Sequence, residues 1–426
     1  MRIGVTGPDI LLNKGGASIH TLNMLLFLKD NFEMIYLPDP NLYGLYRKRR
    51  EELVGREEEI KALGVKIISF FESLLQTNAS YNKIITSYAQ EKFDFLFSFE
   101  FINSTLFPSN FILDLSRKTR LKFGVVLMDI GDTDLKFNSY TKSTIKMSKS
   151  LHIFFFRIYH FINRKLMIRL LLGARNLVFI IFINKYYKRN LKLEFNNIEI
   201  VDPSNGIGNL GEISPFTPTT KKTKIIFFSR MTYSKGLFDI IPITLRILEK
   251  YDATVTVVGN FEWDYEKTAF FDMIRKHNLA NKIVYKGYLS EKDLKEELST
   301  SKVMIYPSHS DSFSRALAQA LYFKTPVVAY DIAGLATYKG LKPVKLINEF
   351  DYDSMATEAI KLLKSDQNDD LFDLNVDDFL RIHTWKNVAV EYNRIIEKYL
   401  PELLGSAPPN FDTRNFFERQ KSKDGS

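Results

Sequence analysis

The 426-residue chain has no cysteine and only two tryptophans. Without thiols there is no disulfide, no thiolate nucleophile, no Cys-ligated zinc and no iron–sulfur cluster, which fits a reducing compartment. Long apolar runs are missing too. The longest, Ile153–Phe156 and Leu177–Ile183, are cut by Arg157 and by Arg175-Asn176, well short of the roughly 18 apolar residues that span a bilayer. No transmembrane helix is expected, and no signal peptide, since Met1-Arg2 leads straight into the strand-like Ile3-Gly4-Val5. A third absence is local: residues 135–193 hold 8 Lys and 5 Arg but no Asp or Glu. The formal charge of +9 resides there, because the rest of the chain carries 46 basic against 50 acidic residues.

What is present is enough apolar material, 45% of residues, for two domains with a core each. Short β-branched or aromatic runs (Arg2-Thr6, Met34-Leu37, Val65-Ile68, Asp94-Ser98, Phe123-Leu127, Asn176-Ile181, Ile198-Val201) alternate with segments of helical period. Such alternation predicts βα units around a parallel sheet. Turn residues at Asp202–Gly206 and a Gly/Pro/Ser/Thr-rich stretch from Gly208 to Thr223 mark an interdomain linker. A second alternation follows, with strands at Lys224-Ser229, Ala253-Val258, Lys282-Lys286, Val303-Tyr306 and Pro326-Ala329, and helices at Leu237-Lys250, Glu262-His277, Glu291-Thr300, Phe313-Tyr322 and Asp351-Leu363. The expected fold class is α/β, two doubly wound domains in series: residues 1–205, then 206–384, then a helix at 385–404 and a disordered tail at 405–426.

Three loops carry chemistry. Gly7 to Gly16, ending Lys14-Gly15-Gly16, follows the first strand and opens a helix, where free amides favour an anion. Ser229-Arg230 through Lys235-Gly236 projects two cations, five residues apart, from the edge of the second sheet, a fork and a point charge suited to a diphosphate. The third is Tyr306-Pro307-Ser308-His309-Ser310-Asp311-Ser312-Phe313-Ser314-Arg315, running into a helix that bears Gln319 about two turns on. Its small polar groups suit sugar hydroxyls. His309 reads as a hydrogen-bonding surface residue rather than a general acid/base.

In this order and spacing the segments resemble the family 4 glycosyltransferases, retaining enzymes of the GT-B fold, in which two Rossmann-like domains face each other across a cleft. Ser229-Arg230 to Lys235-Gly236 is similar to the family's G-R-x-x-x-x-K-G, Val257-Val258-Gly259 to V-G-x-G, and Lys286-Gly287-Tyr288 to its base-binding F-x-G-x. Pro307-Ser308, Asp311 to Gln319 and Thr325–Ala329 are similar to P-S, E-x7-E and G-x-P-V-V-A. Gly15-Gly16 with His20 resembles G-G-x-x-x-H, Pro203–Ile207 resembles P-N-G-V with one insertion, and His383-Thr384-Trp385 the C-terminal helix that returns to the first domain.

The resemblance implies transfer of a sugar from a nucleotide-diphosphate sugar to a hydroxyl acceptor, such as a lipid-linked saccharide, with retention of configuration. Arg230, Lys235 and Asp311 would be catalytic. Gly15, Gly16, Gly259, Gly287, Tyr288, Ser312, Phe313, Ser314 and Gln319 would hold the donor. Preorganised cations and amides would stabilise the leaving diphosphate, so neither metal nor cofactor is expected. Asp132-Thr133-Asp134 reads as a capped polar loop.

Four positions depart from the family pattern: Asp311 and Gln319 replace the two glutamates, Met128 stands where many relatives have histidine, and Ser314 replaces a glycine. They support an alternative, a weakened GT-B scaffold that binds nucleotide or a partner without turnover. Within the acid-free segment Lys142, Lys146, Lys149, Arg157, His160 and Arg164 recur at three- and four-residue steps, apart from a gap near Ile153, beside Ile145, Phe155, Ile158, Ile162 and Leu166. This spacing predicts a basic amphipathic helix on an anionic membrane surface, hence a peripheral enzyme on the cytoplasmic face. Nucleic acid is not an expected partner, since the segment matches no RNA module.

Overall fold

The computed structural model describes residues 1–12, 15–69, 71–77, 79–100, 110–128, 162–163, 166–184, 195–207, 222–366 and 368–404. Lys14, Asp132–Asp134, most of the linker and of the basic segment, and the tail lie outside the described residues.

Two wholly parallel sheets form. The first has the order β3-β2-β1-β4-β5-β6-β7, with β1 Arg2–Thr6, β2 Glu33–Tyr36, β3 Lys66–Ile67, β4 Phe95–Ser98, β5 Phe123–Leu127, β6 Leu177–Phe182 and β7 Ile198–Ile200. The second has the order β10-β9-β8-β11-β12-β13, with β8 Lys222–Phe228, β9 Thr254–Val258, β10 Ile283–Gly287, β11 Ser301–Tyr306, β12 Val327–Tyr330 and β13 Val344–Ile347. Helices cover both: α1 Gly16–Leu28, α2 Tyr43–Lys48, α3 Arg50–Ala62, α4 Phe71–Gln76, α5 Tyr81–Tyr88, α6 Phe111–Thr119, α7 Ile240–Leu248, α8 Asp264–Lys276, α9 Glu291–Thr300, α10 Arg315–Tyr322, α11 Tyr352–Lys364, α12 Leu374–Ile382 and α13 Trp385–Leu404.

Central strands covered on both faces must be apolar throughout. Accordingly β4 (FLFS), β5 (FGVVL) and β6 (LVFIIF) are buried along their whole length. Each sheet has its own core, and α13 belongs to the first: Trp385, Val388, Tyr392, Ile395, Ile396 and Tyr399 pack with Ile3, Phe97 and Phe179. Polar ties fix the helix there, with Tyr399 Oη donating to Glu199 (2.7 Å) and Asn31 Nδ2 to Asn393 (2.8 Å).

The strands expected from sequence are present with ends shifted by one or two residues. Three differences have local causes. The third-loop helix begins at Arg315 rather than Phe313, because Asp311 draws the amides of Ser312 (3.0 Å) and Ser314 (2.9 Å) into a turn and Ser314 Oγ then caps Leu317 N. The acidic stretch near residue 370 contains α12, whose start Asp373 caps through the amide of Asn375. Strand β13 was missed, since Val344-Lys345-Leu346-Ile347 is a short edge strand beside β12.

Candidate active site

In open parallel sheets ligands bind beyond the carboxyl ends of the strands where the strand order reverses. That point falls between β1 and β4 in the first sheet and between β8 and β11 in the second. The loops leaving β1, β8 and β11 are Gly7–Gly16, Ser229–Gly236 and Pro307–Ser314, the three that the sequence singles out; most of the loop leaving β4 lies outside the described residues.

The second-sheet loops are stitched together. Gly236 closes a 3-10 turn at Tyr233–Lys235 with φ of 77°, and a Cβ there would run into the Pro307 carbonyl, so only glycine lets the loops meet. His309 N donates to Ser234 O (2.9 Å) across the same seam. Lys235 Nζ donates to Ser310 O (2.7 Å) and to Asp311 Oδ2 (2.9 Å), which also accepts from Tyr306 Oη (2.6 Å). Asp311 thus spends its carboxylate on Lys235 of the neighbouring loop and on groups of its own. Burial alone would raise it, but Lys235, Tyr306 and the Ser314 amide outweigh that and hold it below the usual carboxylate range. Burial beside that carboxylate pushes the Tyr306 phenol up to about 12.

Arg230 is the more accessible cation, its side chain 60% exposed and 3.4 Å from Glu262. Behind it Glu266 is buried and accepts from Thr232 Oγ1 (3.1 Å) and Tyr233 N (2.8 Å). Gly259 N donates to Gly287 O (2.8 Å), so those two glycines adjoin, and Tyr288 beside them is 72% exposed. Ser312 O accepts from Asn184 Nδ2 (3.0 Å), a direct tie from the end of β6 to the third loop. The Phe313 ring instead turns into the core, stacked on His383 with centroids 5.0 Å apart, which leaves only its backbone to meet a ligand. Ser314 holds φ of 51° as N-cap, a left-handed conformation that a glycine would adopt without strain. Gln319 sits half-buried on α10.

On the first-sheet side Gly15 is the N-cap of α1, and Gly16 is exposed, with open space where a Cβ would stand. One turn on, His20 is buried, within reach of Asn205 Oδ1 (3.2 Å) and Tyr392 Oη (3.1 Å). Burial lowers it to about 4, so it is neutral at pH 7. Met128, at the end of β5, is buried.

His309 corrects the surface reading. It is buried between Asp239 Oδ2 (2.6 Å from Nε2) and Glu349 Oε1 (2.8 Å from Nδ1), and Asp239 further accepts from Tyr330 and Tyr352. Burial disfavours its charge, yet the two carboxylates prevail and raise it above the ordinary histidine value. It is a clamp within the second domain. Sequence reasoning also missed Arg315, whose guanidinium lies 5.5 Å from the Trp385 ring centroid. The available signal was an arginine at a helix start with no acid three or four residues on.

Together the two sheets and their loops define the class of protein, an α/β chain of GT-B fold. Among known proteins, residues 212–372 match the family model described as Glycosyl transferases group 1. An uncharacterized glycosyltransferase of Methanocaldococcus jannaschii is 29% identical over 112 residues, 26% of this chain and 28% of that protein. The 2-deoxystreptamine N-acetyl-D-glucosaminyltransferase of Niallia circulans is 25% identical over 186 residues, 43% of each chain. The chain thus matches well under half the length of these relatives. The crystal structure of Anabaena HepE in complex with UDP-glucose superposes with a TM-score of 0.62 at 15% identity, covering 93% of this chain and 99% of that one.

Proposed function

We propose that the chain transfers a sugar from a nucleotide-diphosphate sugar to a hydroxyl acceptor with retention of anomeric configuration, as a family 4 enzyme. The observation that carries this reading is the meeting of Ser229–Gly236 and Pro307–Ser314 at the switch point of the second domain, with Arg230 at their edge. The donor diphosphate lies beside Arg230, and Lys235 supplies positive charge through its contact with the third loop. As the anomeric C–O bond breaks, negative charge grows on the leaving diphosphate. Preorganised cations and the open amide of Gly16 stabilise it more than they stabilise the ground state. The base rests against Gly259 and Gly287, with Tyr288 free to stack. No metal or cofactor enters this scheme.

Nucleotide release from a panel of nucleotide-diphosphate sugars, with lipid-linked and free saccharide acceptors, tests the reading. Product anomer configuration by NMR tests retention: an inverted product rejects the family 4 assignment, and no release with any donor rejects transfer.

A second reading, a nucleotide-binding scaffold without turnover, is favoured by one set of observations: the Asp311 carboxylate is engaged by Lys235, Tyr306 and the Ser314 amide, Gln319 carries no charge and Met128 is buried and apolar. Donor binding with no turnover, in the presence of the acceptor panel, distinguishes it.

We also propose a peripheral position on the cytoplasmic face of a membrane and a lipid-linked acceptor. Support comes from the acid-free sequence of 135–193 and, among its described residues, from Ile162 and Leu166, which are 58% and 43% exposed and four residues apart in sequence. Among the described residues no helix is long and apolar enough to cross a membrane. Co-sedimentation with anionic vesicles, reversed by salt and absent with neutral vesicles, is the expected result; equal recovery with both rejects the membrane position.

A further inference from the structure

We propose that Arg315 is a binding residue for a substrate oxyanion, held in the cleft between α1 and α10. This rests on the nucleotide-sugar reading and adds to it a third cation, one to which the motifs that led there gave no role. The argument starts from how positive charge is already used in the second domain. Lys235 arrives paired with Asp311 at 2.9 Å, and Arg230 faces Glu262 at 3.4 Å. The amides of the third loop are likewise committed. Those of Ser312 and Ser314 donate to Asp311, and that of Leu317 to Ser314 Oγ. The start of α10 therefore has little backbone to offer an anion.

Arg315 is different. It is the first residue of α10, and its side chain leaves the second domain to lie over Trp385, at the start of the helix that packs on the first sheet. Trp385 is also in edge contact with His20, centroids 5.5 Å apart, and a Cβ on Gly206 would collide with its ring. His20 in turn stands one helical turn after Gly16. Arg315 thus bridges the two sides of the cleft. Its Nε is shielded from water and makes no hydrogen bond, and among the described residues no carboxylate pairs with it. A guanidinium partly shielded from water, with no counter-anion among the described residues, is a costly arrangement, and contact with the Trp385 face offsets only part of that cost. The planar fork matches phosphate or carboxylate oxygens two at a time. The oxyanion is a donor phosphate or, from the same chemistry, the carboxylate of an acidic donor sugar.

Calorimetric titration of the full chain with inorganic pyrophosphate, UDP, UDP-glucose and UDP-glucuronate, beside melting curves of the ligand-free protein, tests this. Arg315→Ala is expected to weaken pyrophosphate and UDP at least tenfold and to leave the ligand-free melting temperature unchanged or raised, since an uncompensated charge has been removed. Arg315→Lys should recover part of the affinity. Arg315→Gln, which keeps the stem and its polarity, carries the same expectation if the alanine variant does not fold. A loss confined to UDP-glucuronate also supports the inference and places the oxyanion on the sugar. Unchanged affinity for every probe, whatever the melting temperature, overturns it and leaves Arg315 as a strut on Trp385. Failure of the two readings is separable. Pyrophosphate binding that depends on Arg315, without binding of any nucleotide sugar, sinks the glycosyltransferase reading alone. Equal turnover of a nucleotide sugar by wild type and Arg315→Ala sinks the inference alone, and absence of binding by any probe sinks both.

Discussion

The two sheets share one strand order, yet their switch-point edges are built differently. At the second, side chains and glycines lock two loops into one unit: Lys235 on Asp311, Tyr306 on Asp311, Gly236 against Pro307. At the first, the loop before α1 ends in a glycine facing open space. An edge that must present fixed charges to one class of ligand is specified by residue types at fixed spacing. An edge that only needs its backbone accessible leaves little in the sequence beyond the glycines themselves.

The largest effect expected from this contrast is on the glycines. Gly236→Ala forces a left-handed φ on alanine and drives its Cβ into the Pro307 carbonyl, so a loss on the order of 5 kcal/mol is expected in urea unfolding. Gly16→Ala meets nothing within 4 Å, and should change stability by less than about 1 kcal/mol. Similar losses at both positions would break the comparison.

Next come the two cations. From sequence both belong to a polar turn and either alanine variant should leave the fold unchanged. The structure reverses that for Lys235: its removal leaves Asp311 buried without its partner, a cost of about 3 kcal/mol. Arg230→Ala, at an exposed pair, should cost no more than about 1 kcal/mol. Chemical denaturation of the two variants side by side decides it.

Two of the three buried histidines, His309 and His20, should respond to pH in opposite senses. His309 is raised, so its contribution is complete below the unfolded value near 6.5 and is lost as pH climbs through its folded value. His20 is lowered to about 4, so stability is complete above 6.5 and falls as the pH drops from there toward 4, by on the order of 3 kcal/mol. Melting temperatures from pH 4 to 9 for wild type, His20→Gln and His309→Gln should show each slope vanish in its own variant; a slope that persists in its variant assigns it elsewhere. A small change of opposite sign, a gain in stability, is expected at Ser314. Glycine there relieves a left-handed φ and loses a cap that glycine replaces at a few tenths of a kcal/mol, for a net gain of about 1 kcal/mol in unfolding free energy. A loss of stability would mean that the Ser314 cap outweighs the strain.

Much of this was legible in the sequence. Alternating apolar runs marked the strands because parallel strands covered on both faces leave no room for polar residues, as β6 shows. Short elements such as β13 were not legible, having too few residues to show a period. The site loops were readable as positions but not as partners. Nothing in the order Lys235, Asp311, Tyr306 says that the carboxylate turns inward onto Lys235 and its own loop. His309 was misread because its two carboxylates, Asp239 and Glu349, come from 70 and 40 residues away. Arg315 was passed over because its surroundings are assembled from α1, the 202–207 segment and α13.

The central claim is that the second domain binds the diphosphate of a nucleotide sugar at the Ser229–Gly236 loop and turns it over. The most direct measurement is nucleotide release by wild type and by Arg230→Ala, the variant whose fold is expected to be intact, with the nucleotide sugar that most raises the wild-type melting temperature. The account predicts release by wild type and a fall in kcat/KM of at least 100-fold in Arg230→Ala, with an unchanged ligand-free melting curve. Equal kcat/KM for the two proteins, or no thermal shift and no release with any nucleotide sugar, would contradict it.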